Sequence, residues 1–109
     1  MEKTIDEIDF SKGDGLIPII VQDVNTKEVL TLAYSNKESL ELTKKTGNSW
    51  FWSRSRKKLW MKGEESGNTQ KVKNILVDCD SDAVIYLVEP SGPACHTGEK
   101  NCFHNSLEK

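Results

Sequence analysis

The sequence predicts an α+β domain, mainly antiparallel β with one main helix. Three observations predict it. Runs rich in apolar and β-branched residues, such as "LIPIIVQD" (16–23), "EVLTLAYS" (28–35) and "AVIYLVEP" (83–90), recur along the chain. One segment alone carries helix-start and helix-stop chemistry. Gly, Asn and Asp clusters separate the runs at short intervals, as turns do.

The elements follow in order. Residues 1–14 read as a polar arm ahead of a single domain over 15–109. The runs 16–23 and 28–35, joined by "VNTK", read as a β-hairpin. In "SNKESLELTKKTG" (35–47), Ser35 with Glu38 three residues on forms a capping box, lysines fill the last turn and Gly47 stops the helix. "NSWFWSRSR" (48–56) alternates as a strand, with Trp50, Trp52, Arg54 and Arg56 on one side. "MKGEESGN" (61–68) is a loop. "TQKVKNILVDCD" (69–80) and 83–90 read as two further strands joined around Ser81, and the tail from Ser91 on is loop.

Composition excludes several function classes. At 109 residues there is one domain. A hydrophobic fraction of 36% is low for a free-standing domain and leans toward an oligomer or a metal-supported fold. The net charge of −2 argues against a general nucleic-acid coat. No apolar run approaches the roughly 18 residues of a membrane span, and "MEKTIDEIDF" lacks a signal peptide's apolar core. A cytoplasmic protein is expected. Cys79, Cys95 and Cys102 are an odd number, which favours metal ligation or catalysis over a disulfide framework.

Three constellations carry chemistry. In "VDCDSD" (77–82), Asp78, Asp80 and Asp82 would share one face of a strand, with Cys79 on the other. An EF-hand is excluded, because its sixth position would be Ala83 and an apolar strand follows. Two readings stay open: a solvated hairpin turn, or a hard cation such as Mg²⁺ whose charge removes the carboxylate repulsion. The thiols come second. Six residues part Cys95 from Cys102, looser than a zinc knuckle, but three thiolates would make a soft Zn²⁺ site with an open position for water. His96 would then be a fourth ligand that closes the site, a proton shuttle, or a plain loop residue. Third is the basic cluster Arg54, Arg56, Lys57, Lys58 and Lys62, beside Ser53 and Ser55. It is either a solvated face or a phosphate cradle of Arg and hydroxyl donors. Trp50, Trp52 and Trp60 are either core residues or a stacking surface for a base.

The blocks "FWSRSRKKLWMKGEESGN" (51–68), "VDCDSD" (77–82) and "GPACHTGEKNCF" (92–103), in this order, closely resemble the signature blocks of phosphoribosyl-AMP cyclohydrolases, which act third in histidine biosynthesis. The hairpin 15–36 resembles that family's N-terminal block, with Ser35 where methionine is expected. The resemblance implies hydrolytic opening of the N1–C6 bond of the adenine ring in phosphoribosyl-AMP. It implies Zn²⁺ on Cys79, Cys95 and Cys102, and Mg²⁺ on Asp78, Asp80 and Asp82. It also implies an intertwined homodimer with a barrel-like sheet core, in which Cys79 of one subunit meets Cys95 and Cys102 of the other. In that frame His96 is expected to move the proton, Glu64 to orient the ring, and Arg54, Arg56, Lys62, Ser53 and Ser55 to hold substrate. Because the chain stops at Lys109, the pyrophosphohydrolase fused to some family members is expected to be absent.

Two other classes compete. A non-catalytic zinc-stabilised binding module would use the cysteines and His96 as a closed Cys₃His site, but would leave the aspartates and "SRSR" without a task. A zinc deaminase would need H-x-E and P-C-x-x-C, and neither is present.

Overall fold

A computed structural model describes residues 2–108. The described elements are strands β1 (Ile17–Asp23), β2 (Val29–Ser35), β3 (Trp50–Ser53), β4 (Lys58–Met61), β5 (Gln70–Val77) and β6 (Val84–Pro90) and one helix, α1 (Lys37–Thr46), between β2 and β3 in the chain. Two 3₁₀ turns, Ile5–Glu7 and Ser11–Gly13, precede them. The α+β expectation holds.

A four-stranded sheet runs in the order β2-β1-β6-β5, and β3 pairs with β4 in a separate hairpin. Pairing is antiparallel except at the centre, where β1 lies parallel to β6. The sheet is open, with β2 and β5 as its edges, so a barrel-like core does not form within one chain.

The inner face follows from strand alternation. Ile17, Ile19 and Val21 on β1 and Val84, Tyr86 and Val88 on β6 are each at most 1% exposed. Leu40 of α1, Phe51 of β3 and Ile8 join the same cluster, and Ile5 and Phe10 pack against it. The segment read as a polar arm therefore lends apolar side chains to the core. Phe51 is flanked by Trp60 at 5.0 Å and Tyr86 at 5.7 Å between ring centroids. Trp60 thus packs against the core while staying partly exposed.

The outer face is unusual. Register places Leu32 opposite Ile20, Ile20 beside Ile85, and Ile85 opposite Leu76, an apolar row across all four strands. Its ends, Leu32 and Leu76, are 44% and 42% exposed. No described helix is long and apolar enough to cross a membrane.

Three local expectations are corrected. The helix is capped by Asn36, not Ser35: the Asn36 carboxamide accepts from the Ser39 amide at 2.8 Å, and the Ser39 hydroxyl accepts from the Asn36 amide at 2.9 Å. Ser35 ends β2, where its buried hydroxyl shares a hydrogen bond with that of Ser39. Residues 54–57 are turn, so Arg54 and Arg56 do not alternate along β3, and β4 follows as a strand the sequence reading missed. The third concerns the carboxylates: β5 ends at Val77, before the first of them.

Candidate functional site

Residues 78–83 form a tight loop between β5 and β6. Asp78 builds it, since its side chain accepts from the amides of Asp82 at 2.9 Å and Ala83 at 3.2 Å. Aspartate favours such bonds to its own following backbone over a strand ladder. Ser81 completes the turn at φ 63°, in the left-handed region. Lys3 fastens it from outside, donating to the carbonyls of Asp78 and Cys79 at 3.1 Å each and to the Ser81 hydroxyl at 2.7 Å.

The result is that ligand oxygens of Asp78, Asp80 and Asp82 lie within 4.8 Å of one another, the one such group among the described residues. They converge through loop curvature, not through the strand alternation expected. Crowding has opposite effects within the group. Hydrogen bonds shared with Asp82 and Asp78 push the Asp80 carboxyl up. The Lys12 ammonium, 2.8 Å from Asp82 and 3.6 Å from Asp80, holds Asp82 below the usual aspartate range. Three convergent, mostly exposed oxygen donors fit a hard divalent cation.

The thiols separate into a pair and a single. Cys95, 8% exposed, accepts from the Thr97 hydroxyl at 3.1 Å and lies 3.8 Å from His104 Nε2. The Thr97 hydroxyl and amide, then His104 and Cys102, lower its pKa to about 6. Cys102 is fixed by its amide, which donates to the Leu30 carbonyl on β2 at 2.7 Å. A thiolate-prone sulfur beside a second thiol and an imidazole fits a soft metal ion such as zinc. Cys79 stands in the carboxylate loop, and the three sulfurs form no common group among the described residues. His104 was missed by sequence reasoning, although its place two residues after Cys102 was a readable signal.

Two clefts divide the remaining expected residues. One, of about 430 Å³, gathers Arg56, Lys62, Glu64, His96 and Cys102 over a floor that includes Trp60. The other, of about 470 Å³, holds Lys12, Tyr34, Arg54 and Asp82. The Arg54 guanidinium stacks 3.8 Å over the Tyr34 ring. The basic cluster is therefore split between the thiol side and the carboxylate side. Ser53 and Ser55 line neither cleft; the Ser53 hydroxyl accepts from the Arg56 amide at 3.2 Å and faces Ser55 at 3.4 Å, which holds the turn. Gly63 at φ 85° carries the chain from Lys62 to Glu64, and a Cβ there would collide with the backbone of Asn68 and Thr69.

Comparison with known proteins gives a consistent result. The family model described as phosphoribosyl-AMP cyclohydrolase matches residues 31–104. A phosphoribosyl-AMP cyclohydrolase of Cenarchaeum symbiosum is 81% identical over 98% of this chain and 99% of its own length. One from Nitrosopumilus maritimus is 80% identical over 99% of this chain and 100% of its own. The histidine biosynthesis bifunctional protein HisIE of Bacillus subtilis is 65% identical over 93% of this chain, which spans 48% of that longer protein. The family match contains Arg54, Arg56, Lys62, the carboxylate loop and the thiol pair, and the chain belongs to the phosphoribosyl-AMP cyclohydrolase family, a family of hydrolases.

Proposed function

We propose that this chain hydrolyses 1-(5-phosphoribosyl)-AMP in histidine biosynthesis, using zinc at the thiols and magnesium at the carboxylates. Water adds at C6 of the adenine ring and the N1–C6 bond breaks. C6 becomes a carboxamide carbon, and N1 leaves as the formimino nitrogen with a proton. The observation that carries this reading is the cleft joining Cys102, His96, Glu64, Arg56 and Lys62, in a chain 81% identical to a relative of that name.

Cys95 and Cys102, with Cys79 from a second copy, would hold the zinc; Asp78, Asp80 and Asp82 would hold the magnesium. Bound zinc lowers the pKa of its water to about 7, which supplies hydroxide at neutral pH. The chain's own residues do the rest. His96, exposed in the cleft wall, passes the proton to the departing N1. Glu64 faces the same space and orients the exocyclic amine. Arg56 and Lys62 bind one phosphate on the thiol side, and Arg54 binds the other beside the carboxylate loop. Ser53 and Ser55 contribute by shaping the turn that presents both arginines.

A homodimer is part of this proposal, with the cytoplasm as its setting. The outer row Leu32–Ile20–Ile85–Leu76, exposed at its two ends, supports it, because a contiguous apolar strip on an open sheet favours burial against another surface. So does the separation of Cys79 from the other thiols.

One observation favours a second reading. His104, 3.8 Å from Cys95, is placed to close the zinc site as a structural Cys₃His centre, as in a binding module. Turnover separates the two. Purified protein with Zn²⁺ and Mg²⁺ should open phosphoribosyl-AMP, followed by ultraviolet absorbance, lose activity to chelator and regain it with metal. A folded, zinc-loaded protein without turnover would instead support the binding module.

A further inference from the structure

We infer that Glu28 is a positioning residue for the thiol pair: its carboxylate fixes the segment carrying Cys95 and Cys102 against the β1–β2 hairpin. This rests on reading those cysteines as metal ligands.

Glu28 sits in the β1–β2 turn and is itself anchored. Its carbonyl accepts from the Asp23 amide at 2.8 Å, and its amide donates to the Thr26 hydroxyl at 3.2 Å. Asp23, 5% exposed, fastens the same turn by accepting from the amides of Asn25 at 2.8 Å and Thr26 at 3.2 Å. From this fixed base the Glu28 carboxylate reaches into the C-terminal segment. One oxygen lies 3.0 Å from Lys100 Nζ, and the other accepts from the Asn101 carboxamide. Asn101 in turn accepts from the Phe103 amide at 2.7 Å.

The grip falls between the two thiols. Residues 94–100 close on themselves, with the Ala94 amide donating to the Lys100 carbonyl at 3.1 Å and the Cys95 amide to that of Glu99 at 3.2 Å. Immediately after Asn101, the Cys102 amide docks on the Leu30 carbonyl at 2.7 Å. Lys100 and Asn101 are thus the joint between the Cys95 loop and the Cys102 anchor. One carboxylate with an oxygen on each of two adjacent residues sets orientation as well as distance.

Glu28 and Lys100 side chains are 32% and 53% exposed, so the ion pair adds little to global stability. Its effect belongs to geometry. Partners that orient metal ligands commonly change metal affinity by roughly 10–100-fold when removed.

The test compares the full-length wild type with Glu28→Ala and Lys100→Met. Zinc affinity is measured by competition with a chromophoric chelator, and amide hydrogen exchange on the metal-free protein. Both variants should bind zinc roughly 10–100-fold more weakly, with faster exchange at the Cys102 amide and unchanged protection across β1, β2 and β6. Zinc affinity equal to wild type in both variants would overturn the inference. So would a loss accompanied by general loss of β1–β2 protection, which marks a structural role only. Should wild type show no zinc site sensitive to Cys102→Ser, the metal reading itself fails, and exchange at Cys102 still decides whether Glu28 holds the loop.

Discussion

Cys95 and Asp80 are tuned in opposite directions by their neighbours, and both shifts have measurable consequences. Cys95 falls from an ordinary 9.0 to about 6, led by the Thr97 hydroxyl and amide. A lowered value means the fold favours the thiolate. The stability it contributes is full above the ordinary thiol value and is lost as pH falls through about 6. In metal-free protein, thiolate absorbance lost on Cys95→Ser should have its midpoint near pH 6; a midpoint near 9 would contradict the environment described. Asp80 is raised above its ordinary 3.8 by sharing hydrogen bonds with Asp82 and Asp78, so it protonates before Asp82 on acidification. Asp80→Asn should weaken Mn²⁺ or Mg²⁺ binding by roughly tenfold or more, read by calorimetry, and an unchanged titration would remove the carboxylates from the metal site. At this scale the residue types were legible before any coordinates. Acid oxygens and thiols each suggest a metal class, whereas His104 had only its nearness to Cys102 in sequence to mark it, and the fold alone brings it to 3.8 Å from Cys95.

Elements were legible where local chemistry alone decides them. The β1–β2 hairpin and the stop of α1 at Gly47, φ 80°, follow from patterning and from the one residue type that enters the left-handed region freely. The start of α1 slipped by one residue because Ser35 and Asn36 are both capping types, and only the Asn36–Ser39 reciprocal bonds decide between them. Asn36→Ala should therefore destabilise the fold by about 1 kcal/mol in chemical denaturation; no change would return the cap to Ser35. Strand ends were overrun at two loops. Residues 54–57 and 78–83 keep a period-two pattern in sequence, yet turn in space, because Ser and Asp side chains bond back to their own backbone. That overrun put the carboxylates on a shared face for the wrong reason, while the loop brings them together by curvature.

At the scale of the whole molecule, the parallel centre of the sheet was beyond the sequence reading, since β1 and β6 are joined only by long-range pairing. The open edges and the outer apolar row were equally illegible, because each strand's outer residues acquire meaning only when register aligns them. If that row is the subunit contact, Leu32→Glu should shift the protein from dimer to monomer in sedimentation velocity and reduce turnover with it. A fully dimeric Leu32→Glu variant would move the interface elsewhere. In the proposed enzyme the thiol site is completed between chains, Cys79 from one and Cys95 with Cys102 from the other. Subunit complementation tests it most directly. Cys79→Ser and Cys95→Ser proteins, each inactive alone, would be mixed, unfolded and refolded together. Shared sites predict recovery of roughly a quarter of wild-type turnover, since half of randomly paired dimers are mixed and each holds one intact site. A mixture as inactive as its components would contradict the shared site.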